Sequence, residues 1–558
     1  MTMTLKYRVA IVGSPSEPHM PWTPEVLEKL KALGFNATQL NIGWGWRPAD
    51  EPLNMEDVVE LSPEDAAAWP APVPPKSNQD PARVAERHAQ LKERIKMCQD
   101  AGLRSIFHFG APYNSYYGYA GKPLPNCTLD GLTIPRQIAL IKAFAKEYPG
   151  VDDLFVYTFD QDAWLCDEFG NCANCRGVPL HQRAADFVNQ IAAAWHAINP
   201  QGRLWWEPWE LSAGQVYKAI ELLDPNTVGL SIHSNVAEVM AALPVDRWFK
   251  NTAFLASERG IPVLGEHWLG AGSEELEFFF HLQYPLVTWR ALQAMAAVKG
   301  IRGIKEYYGL MPNREDPNLR ATGLFFNNPE LSEEAMLEEL AKPYGAMADE
   351  MIRYWRLSST AIEMIPWDIS WFMREIQRSN PAHTLDAAFT RGQQVRTPSW
   401  ESTRRAIFMK TDSEQPDPYL LEDIQLRCEL AAGYVLQALT IGKRIAPDIR
   451  EDWRPVFYAA LAEQDGVRRR LLAYVYHLRQ TNLADIMRKY RAEGQEVPSV
   501  LTDELVALLR ADQVNRADDE PIATALELLG RDIDAFLAKY YQVVPDNISL
   551  GYFTLTSR

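Results

Sequence analysis

The sequence predicts an α/β protein: a closed (β/α)8 barrel followed by a mainly α-helical C-terminal region. Three observations predict it. Eight short apolar runs alternate with helical patterns over about the first 300 residues. Most of these runs stop in acids, histidines or tryptophans, as strands do where they feed an active-site rim. After about Leu331 the strand signals end and helical spacing takes over. The expected domains are therefore a barrel at 1–330 and a helical region at 331–558.

The elements follow in order. Tyr7 to Val12 is the first strand, and Thr23-Pro24-Glu25 opens a helix with an N-cap and a proline at N1. Asn36 to Ile42 is the second strand and runs into Gly43-Trp44-Gly45-Trp46-Arg47. A Pro-rich insertion, roughly 48–81, reads as a surface loop, and a helix covers Ala82 to Ala101. Leu103 to Phe109 is the third strand and contains His108. A helix from Ile134 to Glu147 precedes the fourth strand, which begins at Leu154 and stops at Asp160-Gln161-Asp162 and Trp164. After the helix His181 to Ile198, Arg203 to Trp206 is the fifth strand and ends in Glu207-Pro208-Trp209-Glu210. Val228 to Ile232 is the sixth, followed by His233. Pro262 to Leu264 is the seventh and runs into Gly265-Glu266-His267-Trp268. A helix from Phe278 to Lys299 leads to the eighth, Ile301 to Ile304, and to Lys305-Glu306-Tyr307. An open doubly wound sheet would want a Gly-rich phosphate loop after the first strand, and Gly13-Ser14-Pro15-Ser16 is not one.

Composition narrows the function. A net charge of −17 argues against nucleic acid as a partner. No run of 18 apolar residues exists to span a membrane, and Met1 to Gly13 lacks a signal-peptide core, so the chain reads as cytoplasmic. A homo-oligomer stays open. Trp is abundant, at 17 residues, and several stand beside acids and glycines at strand ends, which favours a sugar-stacking surface.

In a barrel the strand ends converge on one face. That gathers Trp44, Trp46, Arg47, His108, Asp160, Asp162, Trp164, Glu207, Trp209, Glu210, His233, Glu266, His267, Trp268, Lys305, Glu306 and Tyr307. Glycosidic cleavage needs one carboxyl kept protonated for the leaving oxygen and another ionised to attack or to activate water. Aromatic faces stack on the sugar ring, and polar groups hold its hydroxyls. Each residue also has a plainer reading: Asp160 and Asp162 as turn residues, His108 as a core histidine, Lys305 as the neutraliser of Glu306.

Phe-Asp-Gln-Asp at the fourth strand, the Cys-rich loop behind it and the helical region after the barrel resemble the hexosaminidase/α-glucuronidase-like superfamily of TIM-barrel glycoside hydrolases. The resemblance covers roughly residues 1–400. It implies an acid at the end of the fourth strand, Asp160 or Asp162, and a nucleophile or base at the end of the seventh, Glu266; Glu207 and Glu210 stand in reserve. Retaining hexosaminidases use an adjacent Asp-Glu pair, and Gln161 between two aspartates departs from it. The expectation is an exo-acting glycoside hydrolase acting on a carbohydrate and needing no cofactor for catalysis. A metal-dependent barrel hydrolase and a non-catalytic carbohydrate-binding protein are the alternatives. Cys166, Cys172 and Cys175, with His181 six residues on, suit a structural zinc, a strained local disulfide or free thiols, while Cys98, Cys127 and Cys428 look isolated.

Overall fold

The computed structural model describes residues 5–13, 22–42, 55–59, 62–64, 81–111, 127–158, 165–166, 168, 172–208, 211, 213–233, 245, 247–272, 280–366, 418–516 and 520–540. Eight parallel strands close into a barrel in sequence order. They are β1 (Tyr7–Ile11), β2 (Ala37–Gln39), β3 (Arg104–Gly110), β4 (Asp153–Tyr157), β5 (Leu204–Glu207), β6 (Val228–His233), β7 (Val263–His267) and β8 (Ile301–Glu306). The helices among and after them are α1 (Pro24–Ala32), α2 (Met55–Val58), α3 (Pro81–Ala101), α4 (Thr133–Glu147), α5 (Leu180–Ile198), α6 (Ala213–Ile220), α7 (Arg247–Glu258), α8 (Pro285–Ala296), α9 (Pro317–Asn327) and α10 (Glu333–Ala341). The Thr23 side chain caps α1 by accepting from Val26 N, and Pro24 fills N1, where no amide donor is needed.

The barrel floor is a layer of Val9, Ala37, Ile106, Phe155, Trp205 and Leu264, with Tyr7 packed against it. Trp205 meets Tyr7 edge-on at 5.1 Å. Two rings of this size fit one layer because β6 and β8 supply no side chain there. A Cβ on Gly229 would overlap the Trp205 indole, and one on Gly303 would overlap Tyr7. One face of each strand therefore points inward with a period of two: residues 106 and 108 of β3, 155 and 157 of β4, 205 and 207 of β5, 264 and 266 of β7.

The chain divides into two compact units, Met1–Glu274 with Pro285–Leu340, and Glu275–Tyr284 with Ala341–Arg558. The second unit has only helices as regular elements among its described residues. It comprises α11 (Ala348–Met364), α12 (Pro418–Ile445), α13 (Arg454–Ala492), α14 (Ser499–Asn515), α15 (Glu520–Arg531), α16 (Ile533–Lys539) and two 3-10 turns. Leu483, Met487, Leu505, Leu509, Leu529 and Phe536 form a core across its last four helices. Within this unit Glu463 accepts from the backbone N–H of Phe280 and His281, at 3.0 and 2.7 Å, and pairs with the His281 ring at 2.6 Å.

Several expectations about element limits are corrected. The helix expected from Phe278 begins at Pro285, because the backbone just before it is engaged by Glu463. The helical spacing that begins after about Leu331 is broken at Gly345, whose φ of 57° no right-handed helix accommodates. Helices α15 and α16 fall within the region expected to be helical, and most of 48–81 lies outside the described residues.

Candidate active site

Strands β5 to β8 extend one to three residues further than their apolar runs suggest, and they take Glu207, His233, Glu266, His267, Lys305 and Glu306 into the ladder. The alternation then sorts these residues. Glu207, Glu266 and Lys305 share the inward face with Phe155 and Trp205. His267 and Glu306 are cross-strand partners one residue out of step, on the helix-facing side.

Two polar groups form inside the barrel. On one side, Nε2 of His108 stands 3.6 Å from Oε2 of Glu207, and the Tyr157 ring stacks on His108 at 5.1 Å. The Asn41 side chain fixes the backbone of His108 with two bonds, accepting from its N–H at 2.9 Å and donating to its carbonyl at 2.8 Å. On the other side, Oε1 of Glu266 accepts from Ser231 Oγ and lies 3.6 Å from Nζ of Lys305. His233 is the register partner of Glu266 on β6. The two groups share a floor: Lys305 Nζ lies 4.5 Å over the Phe155 ring, and His108 packs 5.4 Å from the same ring. His108, Glu207, Glu266 and Lys305 are all buried. The second oxygen of Glu266, Oε2, receives no hydrogen bond among the described residues.

Lys305 thus faces Glu266 rather than serving chiefly to neutralise Glu306. Glu306 organises the loop after β8: Oε1 accepts from the N–H of Tyr308 and Gly309, and Oε2 from Leu269 N. Burial pushes its carboxyl up to about 7, against the pull of these N–H groups. Asp316 plays the same part next door, accepting from Ala271, Asn318 and Leu319, and burial raises it to about 6. Burial lowers His267 to about 4, so its ring is neutral near pH 7. Trp268 is buried beside His267 and Tyr307, with ring centroids 6.4 Å away in each case. Trp44, Trp46, Arg47, Asp160, Asp162, Trp164, Trp209 and Glu210 lie outside the described residues.

Sequence reasoning missed Tyr157, Ser231 and Asn41. Stepping forward by two from Phe155 and back by two from His233 along their strands would have found Tyr157 and Ser231. It also missed the fourth member of the cysteine group. The sulfurs of Cys127, Cys166, Cys172 and Cys175 all lie within 4.8 Å of one another, and His181 is not among them. His108, His233 and His267 join no such ligand group among the described residues.

No protein-family model matches the sequence. No curated protein matches it either. Among solved structures the chain is similar to a GH138 enzyme targeting pectin rhamnogalacturonan II, with a TM-score of 0.57 and 12% identity. That match covers 92% of this chain, which spans 62% of the length of the GH138 enzyme. An O-GlcNAc hydrolase from Thermobaculum terrenum aligns over 94% of this chain and 96% of its own, at 11% identity and a TM-score of 0.42. The fold is thereby a (β/α)8 barrel with a helical C-terminal region, an arrangement also found in the GH138 enzyme.

Proposed function

We propose that the chain is a glycoside hydrolase, exo-acting on a carbohydrate, with catalysis confined to the barrel, residues 1–330. The observation that supports this best is Glu266. It is fixed through one oxygen by Ser231 and Lys305, while the other is left without a hydrogen bond among the described residues. A carboxylate held by a cation, with one oxygen open, suits attack at an anomeric carbon or activation of water. Asp160 or Asp162, both of which follow β4 in the chain, supplies the proton to the leaving oxygen. Glu207, beside His108, and Glu210 are the reserve carboxylates. Trp44, Trp46, Trp164 and Trp209 are assigned to the sugar faces. Cleavage by this chemistry draws on carboxylates alone and needs no cofactor. The net charge of −17 suits a carbohydrate better than a nucleic acid.

Turnover of a panel of aryl glycosides of differing sugar and anomer tests the reading. Pectin rhamnogalacturonan II is assayed beside the panel, with sugar release as the readout, because the similar GH138 enzyme targets it. Release of the aryl group from at least one member is expected. Binding of sugars without release from any would favour a carbohydrate-binding protein instead.

A further inference from the structure

Four cysteines from two loops meet in the barrel unit. Cys127 stands ahead of α4, in a turn that Asp130 ties to the helix start by accepting from Leu132 N at 2.7 Å and Thr133 N at 2.8 Å. Cys166, Cys172 and Cys175 lie between β4 and α5. None of the four is joined in a disulfide, and the Cys127 and Cys175 sulfurs are 3.3 Å apart. Four thiolates at about 2.3 Å from a zinc ion stand roughly 3.8 Å from one another, so a group in which every sulfur is near every other matches that tetrahedron. Two disulfides would draw the sulfurs together in pairs, at about 2.05 Å.

The surroundings fit an ion as well. The Asn174 side-chain amide donates to the Cys127 sulfur at 3.6 Å. Arg183, on α5, is buried beside the group and donates through Nη2 to the Cys166 carbonyl at 2.5 Å. Its Nη1 makes no hydrogen bond among the described residues. A zinc tetrathiolate carries net negative charge, and a buried guanidinium next to it offsets that charge.

We propose that Cys127, Cys166, Cys172 and Cys175 bind one structural zinc ion, which staples the loop after β3 to the loop after β4. Binding displaces the thiol protons and changes no oxidation state. Cys166 closely follows Asp160 and Asp162 in the chain, so the ion anchors one end of the segment that bears them. The proposal stands on the sulfur geometry and does not rest on the glycosidase reading.

Metal analysis of the purified full-length protein tests it. The expected result is one zinc per chain, released by a thiol-specific mercurial and replaceable by Co2+ with the absorption bands of a tetrahedral thiolate site. Cys127→Ser should lower the zinc content several-fold, whereas Cys98→Ser and His181→Ala should leave it unchanged. In case Cys127→Ser folds poorly, a strong chelator applied to the unaltered protein gives a second readout and should lower its Tm. Iron with sulfide in place of zinc, the four thiols paired as disulfides without metal, or full zinc retention in Cys127→Ser would each overturn the proposal.

Discussion

Glu266 on β7 and Lys305 on β8 stand as cross-strand partners with Oε1 and Nζ 3.6 Å apart, and neither side chain reaches solvent. A buried pair of this kind is costly to break from one side, because the remaining charge is stranded. Lys305→Met should therefore destabilise the barrel by about 3–5 kcal/mol. Glu266→Gln combined with Lys305→Met should recover part of that loss. Denaturant unfolding of the two single variants and the double variant measures the coupling. Additive losses would mean that the two groups do not act as a pair.

A second prediction concerns pH. The Glu306 carboxyl titrates near 4.5 in a free chain and is raised to about 7 by burial in the fold. Between those values the folded chain holds the extra proton, so this group's contribution is fully present below about 4.5 and is lost as pH rises towards 7. His267 acts in the opposite sense. Its free value of 6.5 falls to about 4 on burial, so the unfolded chain holds the extra proton and stability rises with pH across that window. Glu306→Gln should flatten the fall between pH 4.5 and 7, and it should cost about 1–3 kcal/mol because the amide has one acceptor oxygen where Glu306 uses two. Urea unfolding at a series of pH values would show it. An unchanged pH slope in the variant would remove Glu306 as the source.

Gly229 is the third test. Its missing side chain makes room for Trp205 in the barrel floor. Gly229→Ala should destabilise the fold by about 1–3 kcal/mol through overpacking, as read from the shift in Tm. A neutral substitution would mean that the floor repacks freely.

The tryptophans should separate into two behaviours. Trp44, Trp46, Trp164 and Trp209, replaced singly by Ala, should include at least two that weaken sugar binding by about 1–3 kcal/mol with little loss of Tm. Trp268 is buried against Tyr307, and Trp268→Ala should instead cost about 3–5 kcal/mol of stability. Calorimetric titration with the hydrolysed sugar, beside thermal unfolding, tells the two apart. Unaltered binding in all four variants would remove the main support for sugar stacking.

The barrel was legible because its strands are buried on both faces and read as continuous apolar runs broken by helices. The polar ends were legible too, but their direction was not extracted. Glu266 with His267, and Lys305 with Glu306, are adjacent residues in strands, so only one of each pair can face inward. The apolar runs stop short of the true strand ends in β5 to β8, because charged residues can continue a ladder once their side chains are paired inside. Cys127 looked isolated because 38 residues lie between it and Cys166, and only the pairing of β3 with β4 brings the two loops together. The 3-10 turn at Gly345 left no mark in an apolar periodicity that runs on across it.

The most direct measurement is the turnover of Glu266→Gln on the best aryl glycoside of the panel, with folding checked by circular dichroism. Glutamine keeps the shape and removes the charge that attacks or activates water. The account predicts that kcat falls by orders of magnitude for every substrate while the fold persists. It also predicts that Asp160→Asn or Asp162→Asn is rescued in part by substrates with good leaving groups, which need no proton. Near-normal turnover in folded Glu266→Gln would contradict the assignment and shift the nucleophile or base to Glu207 or Glu210.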